Sequence, residues 1–150
     1  MAKILGMGNA LVDILIRIPD EKLFTEFDML KGGNKLVDDL FTQKLLSAVS
    51  HLPSEKAPGG SAANTINGLS NLGMETGFIG KVGKDDFGKF MEDDMLANNI
   101  QALLMKGIAP TGIAVTLITP DSERTFAINL GSAIEMTADE IGRASCRERV

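Results

Sequence analysis

Tryptophan and tyrosine are absent from this 150-residue chain, and cysteine and histidine occur once each, as Cys146 and His51. One cysteine rules out a disulfide framework within the chain. One histidine, in a polar-flanked loop, removes most histidine-based metal sites and catalytic triads. No apolar run approaches the ~20 residues of a membrane-spanning helix, and the first residues lack the layout of a signal peptide, so a cytoplasmic chain is expected. The formal charge of −5 has the wrong sign for a nucleic-acid footprint. What is present, 44% hydrophobic and 23% charged residues, fits a globular domain of ordinary size.

The most informative stretch is Pro-Gly-Gly-Ser-Ala-Ala-Asn over 58–64 and its continuation to Gly73. Gly59 and Gly60 lack a Cβ, so the backbone can turn tightly there and another molecule can come close. Ser61 is expected to cap a helix with the stripe Ala62, Ile66, Leu69 and Leu72, stopped by Gly73 in the left-handed conformation. Asn64 sits roughly 200° round the helix from Ala62 and points away from that stripe. An amide side chain one turn above two glycines at a helix start suits the holding of hydroxyls. A tight turn feeding an ordinary core helix would read the same way.

Near the N-terminus, Gly6-Met-Gly8 invites a dinucleotide-binding reading, but Leu11 stands where the third glycine belongs and the following segment reads as strand. In an extended segment Asn9, Leu11 and Asp13 share one face. A carboxylate there can accept from two neighbouring hydroxyls while the amide donates or accepts. The alternative is a polar strand edge facing solvent.

In chain order the pattern predicts strands over 3–7 and 10–18, a short helix or loop over 20–32, a short strand over 34–37, and a helix over 38–49 with stripe Leu40, Phe41, Leu45, Ala48 and Val49. A loop over 51–57 then delivers the chain to the glycine pair. Beyond that helix come a strand over 76–82, a helix from about 87 to 98 with Phe87, Phe90, Met91 and Met95 inward, and a strand over 100–105. This alternation is that of an α/β parallel sheet. Segments 111–119 and 124–130 flank the turn sequence Pro120-Asp-Ser-Glu123 and form a β-hairpin. With 10–18 and 34–37 they supply four strands for a second, smaller sheet, a lid of the kind that excludes water from phosphoryl transfer. Thr137-Ala-Asp-Glu140 is a capping box, yet no apolar stripe follows it. Residues 141–150 are Arg-rich and without periodicity, and they resemble a translated sequencing adapter. The expectation is a native part over 1–140, the N-terminal piece of a longer protein, followed by a non-native read-through tail.

Gly8-Asn9-x-x-x-Asp13, Gly59-Gly60-Ser61-x-x-Asn64 and Gly80-Lys-Val-Gly83-Lys-Asp-x-Phe87-Gly88, with Pro110-Thr111-Gly112, stand in one order and spacing. In this the chain resembles the ribokinase-like (PfkB) carbohydrate kinases over 1–140, nearest their adenosine kinase branch. Sugar kinases of the ribokinase type usually place the Asn and Asp two apart and carry Lys after the paired glycines; here the spacing is four and the residue is Ser61. The resemblance implies an α/β, ribokinase-like doubly wound sheet, N-terminal part only, with a small β-sheet lid. It implies ATP-dependent transfer of the γ-phosphoryl group, with Mg²⁺, to a primary hydroxyl of a nucleoside, adenosine first, with that acceptor and ATP as partners and no nucleic acid or membrane. Asn9, Asp13, Gly59, Gly60 and Asn64 would hold the ribose, with Ser61 in the same substrate-binding set, and Leu11 and Leu36 would wall its apolar part. Arg124 would reach transferring phosphate or stand as an exposed hairpin arginine. The family's catalytic base lies in a Gly-Ala-Gly-Asp run that this chain does not contain, so the chain as given holds the acceptor half and is expected to be inactive. No metal ligand is assigned within it. A sugar kinase of the ribokinase or fructokinase kind, and a non-catalytic binding module on the same fold, are the alternatives.

Overall fold

The computed structural model describes residues 3–147. In chain order the elements are β1 (Ile4–Met7), β2 (Leu11–Arg17), α1 (Lys22–Glu26), β3 (Asn34–Leu36), α2 (Asp39–Ala48), β4 (Ser54–Gly59), α3 (Ser61–Asn71), β5 (Thr76–Val82), α4 (Asp86–Ala97), β6 (Ile100–Lys106), β7 (Gly112–Ile118), β8 (Arg124–Asn129), a 3₁₀ turn (Gly131–Glu135) and α5 (Ala138–Arg147). They fall into two compact units, one holding Pro58–Gly112 with the residues before Asp13 and after Asn129, the other Asp13–Ala57 and Ile113–Asn129.

The first unit is built on a parallel three-stranded sheet in the order β1-β5-β6, with Ile4 opposite Thr76 and Thr76 opposite Ile100. Every residue of β5 is buried, so its sequence, Thr-Gly-Phe-Ile-Gly-Lys-Val, shows no alternation. Phe78 and Val82 join Ala63 and Ile66 of α3 and Met91 and Met95 of α4 in one apolar core. Helix α4 starts where Asp85 turns its carboxylate onto the Gly88 amide at 2.8 Å. Helix α3 departs from expectation at both ends. Gly60, not Ser61, is the N-cap, because the position has φ +96°, which a side chain would strain. Leu72 is 80% exposed, because the helix ends one residue before it and the buried stripe is Ala63 and Ile66.

The second unit carries a five-stranded sheet in the order β3-β8-β7-β2-β4. Strands β7 and β8 form the expected antiparallel hairpin, and β3 runs parallel to β8 with Leu36 opposite Ile128. Strand β4 covers most of a segment expected as loop. Its sequence, Ser-Glu-Lys-Ala-Pro-Gly, has no period-two signal because it is an edge strand whose first three residues are exposed. Asp38 caps α2 by accepting the Phe41 amide at 2.8 Å, and Leu45 and Val49 are buried with Ile14, Ile16, Val115 and Leu117. Leu40, expected in that stripe, is 59% exposed.

The capping box forms: the Glu140 carboxylate accepts the Thr137 amide at 2.9 Å and hydroxyl at 3.0 Å. A helix follows, which the expectation of an aperiodic tail did not contain; the cap starts it, and Ala144 alone among its apolar residues with described side chains is buried. Tail residues 148–150 lie outside the described residues.

Glu140 also ties α5 to the sheet. Buried Lys81 of β5 donates to both Glu140 carboxylate oxygens at 2.8 and 3.0 Å and to the Glu135 carbonyl at 2.9 Å. The Lys81 ammonium, then the Thr137 donors, hold the Glu140 carboxyl down at about 2, against an ordinary 4.5. A depressed pKa contributes stability that is full above the unfolded value and is lost as pH falls through the folded one. The melting temperature of the parent should therefore exceed that of Glu140→Gln near neutrality, and the difference should shrink between pH ~4.5 and ~2. A difference independent of pH would remove the ion pair from the account.

Candidate functional site

In the first unit the segment leaving β1 and the turn entering α3 meet backbone to backbone. A Cβ on Gly60 would fall on the Asn9 carbonyl oxygen and come within 4.0 Å of the Leu11 amide nitrogen. The glycine pair thus seats the first turn of α3 on residues 9–11. Gly59 is buried, whereas Ser61 and Asn64 are exposed in that first turn, and Asn9 is exposed as well. Asn64 lines a small cavity of about 90 Å³ that also includes Pro58, Asn67 and Asp94, and the buried Asn67 Oδ1 has no protein partner there. Leu11 is 8% exposed, its methyl filling the space where Gly112 lacks a side chain, so little of it is open to serve as a wall.

In the second unit the strand pleat arranges Asp13, Leu36 and Arg124. Val12, Ile14 and Ile16 of β2 are buried, which puts Asp13, Leu15 and Arg17 on the other face. Leu15 and Arg17 line a small cavity with Ile118, and Ile118 pairs with Arg124 across the hairpin. Arg124, Phe126 and Ile128 alternate along β8, and Leu36 lies opposite Ile128. All three predicted residues therefore share one face of the five-stranded sheet. Phe126 and Ile128 share it too and were not singled out, although the alternation of Arg124-Thr-Phe-Ala-Ile already placed them there.

Asp13 differs from the chain's other well-placed carboxylates. It is half-buried, burial pushes its carboxyl above the ordinary value, and among the described residues it has no hydrogen bond or ion pair. Leu36 is 72% exposed, and Arg124 is exposed without an ion pair among the described residues. A groove of about 780 Å³ between α1 and α2, lined by Phe27, Lys35 and Phe41, contains none of the predicted residues. No group of three or more His, Cys, Asp or Glu side chains that could hold a metal ion occurs among the described residues.

The Gly60 contact is testable by itself. Gly60→Ala adds a methyl against a carbonyl oxygen at a positive φ, and it should lower stability by more than about 1 kcal/mol in denaturant titration, while Gly142→Ala, in open space, should not.

The pfkB family carbohydrate kinase profile matches residues 41–146. A protein of Arabidopsis thaliana named probable fructokinase-7 is 38% identical over 96 residues, 63% of this chain and 28% of its own. Among solved structures, the adenosine kinase of Sinorhizobium meliloti superposes with a TM-score of 0.81 at 30% identity, over 92% of this chain and 42% of that one. A probable sugar kinase of Rhizobium etli does so with a TM-score of 0.84 at 30% identity, over 95% and 43%. The chain spans about a third of the length of the curated relatives it matches. With that profile over most of its length and the ribokinase-like α/β fold of these kinases, the chain belongs to the pfkB family of carbohydrate kinases, a family of phosphotransferases.

Proposed function

We propose that the chain is the acceptor-binding part of an ATP-dependent nucleoside kinase, with adenosine as its first acceptor. The observation that carries this reading is the Asp13 carboxylate, half-buried and without a partner among the described residues. A buried carboxylate is costly unless donors reach it. A vicinal diol supplies two donors, and Asn9, four residues earlier and also without a side-chain partner among the described residues, supplies an amide that donates or accepts. The glycine pair and Asn64 offer further polar contacts at the start of α3, Leu36 and the small open part of Leu11 apolar ones, and Arg124 a cation for transferring phosphate. ATP supplies the phosphoryl group, with Mg²⁺ as its counterion. The residues named are assigned to the acceptor, and no step of the transfer itself is assigned to them.

A second reading has support of its own. Fructokinases of Arabidopsis thaliana are 33–38% identical to this chain, and the Rhizobium etli structure is named a sugar kinase. The same carboxylate would then bind two hydroxyls of a free sugar.

Both readings are tested in a chain extended to the relatives' length and supplied with ATP and Mg²⁺. Adenosine should be phosphorylated ahead of ribose and fructose; faster turnover of a free sugar would move the assignment to the sugar kinase. Asp13→Ala should lose ~10² or more in kcat/KM, since each charge-assisted bond to a hydroxyl contributes roughly 1.5–3 kcal/mol and ~1.4 kcal/mol is a decade. Parental kinetics in that variant would remove Asp13 as a hydroxyl ligand.

A further inference from the structure

Two of the motifs, Gly83-Lys-Asp85 and Pro110-Thr111-Gly112, contain none of the residues given a role above, and within the first unit they are bonded to each other. The Asp85 carboxylate accepts the Thr111 amide at 2.7 Å, the Thr111 hydroxyl at 2.6 Å and the Gly88 amide at 2.8 Å. Thr111, 2% exposed, in turn accepts the Gly83 amide on its hydroxyl oxygen at 2.9 Å. Burial acting alone would raise the Asp85 carboxyl, but the Thr111 hydroxyl and amide and the Gly88 amide outweigh it and hold it below the ordinary value. The segment is gripped from the other side as well, because the Pro110 carbonyl accepts the Ser132 amide at 2.8 Å.

The residue after Thr111 is where this grip reaches the site. Gly112 lies so close to its surroundings that a Cβ there would fall on Leu11 Cδ2 and within 2.6 Å of the Leu130 carbonyl oxygen. The Leu11 side chain is thereby stopped against the Gly112 backbone. We propose that Asp85 and Thr111 are positioning residues for acceptor binding: they fix the Thr111-Gly112 backbone, and that backbone fixes Leu11 and the Asn9–Leu11 segment seated under Gly60. Neither touches the acceptor. The inference rests on the acceptor reading of Asn9, Leu11 and Asp13 given above. Its chemistry is specific. A carboxylate with two oxygens and no hydrogen accepts all three donors at once, whereas an amide in its place must turn an NH₂ toward one of them. A threonine hydroxyl both donates to Asp85 and accepts from Gly83, which valine of the same shape cannot do.

The test uses the chain extended to the relatives' length, with ATP, Mg²⁺ and adenosine. Asp85→Asn and Thr111→Val should raise the acceptor KM about tenfold while the ATP KM stays within about twofold, and Thr111→Ser, which keeps the hydroxyl, should stay near the parent. Acceptor and ATP KM values rising together, an unmoved acceptor KM, or Thr111→Ser behaving as Thr111→Val would each overturn the proposal. If Asp85→Asn does not fold, the serine–valine pair at Thr111 decides. Asp13→Asn, assayed in parallel, separates the two levels. Unchanged acceptor turnover in that variant brings down the site reading and this inference with it. Lost turnover there, beside an unmoved acceptor KM in the Asp85 and Thr111 variants, overturns the positioning role alone.

Discussion

Two chain segments can touch along their main chains only where no side chain intervenes, and the first unit depends on that condition at Gly60 and Gly112. At Gly60 the entry to α3 rests on the Asn9 carbonyl; at Gly112 the root of β7 rests on the Leu130 carbonyl and on Leu11. Between them these contacts determine where residues 9–11 run. Glycine costs folding entropy, and the positive φ at Gly60 is one that few other residues would tolerate. Flexible positions in the unfolded chain thus become closely packed ones in the folded unit, and the segment they pack against is the one that carries Asn9 and Leu11.

Electrostatics separates the carboxylates by task. Asp85 has three donors, and Glu140 has a buried ammonium with a helix start, and both titrate below their ordinary values. Asp13 is half-buried with no donor among the described residues, and burial pushes its carboxyl above the ordinary value. A group that protein donors satisfy is finished as structure; one left unsatisfied at half burial is either a net cost or a place for a ligand's hydroxyls. The same contrast distinguishes Asn9 and Asn64, which are exposed and whose side chains have no partner among the described residues, from Asn98, whose amide donates to the Asp94 carbonyl.

Much of this was legible in the sequence because it is local. Asp38, Asp85 and Thr137 with Glu140 announce helix starts within four residues, and each cap forms. Strand β5 and the β7–β8 hairpin carry their own apolar composition and turn residues. What escaped depends on partners distant in the chain or on side chains that contribute little. Strand β4 is held by its backbone at a sheet edge, so its polar sequence gives no signal. Which end of the Gly-Ser pair caps α3 depends on Asn9, some fifty residues earlier, because the close approach selects the glycine. The Asp85–Thr111 bonds join residues 26 apart, and either motif alone reads as a turn. Placing Asp13, Leu36 and Arg124 on one sheet face required the register of three strands.

The borders of the five-stranded sheet have a consequence for the protein's behaviour at high concentration. One border is β3, three residues long; the other is β4, which opens with exposed Ser54, Glu55 and Lys56 and includes Pro58, a residue with no amide hydrogen to give. A neighbouring molecule adding a strand would find too short a ladder on one side, and on the other a missing donor and charges to desolvate. Sheet-to-sheet polymerisation, the ordinary hazard of an open β-surface, is discouraged by the same unremarkable polar segment that concealed β4 from a reading of its sequence.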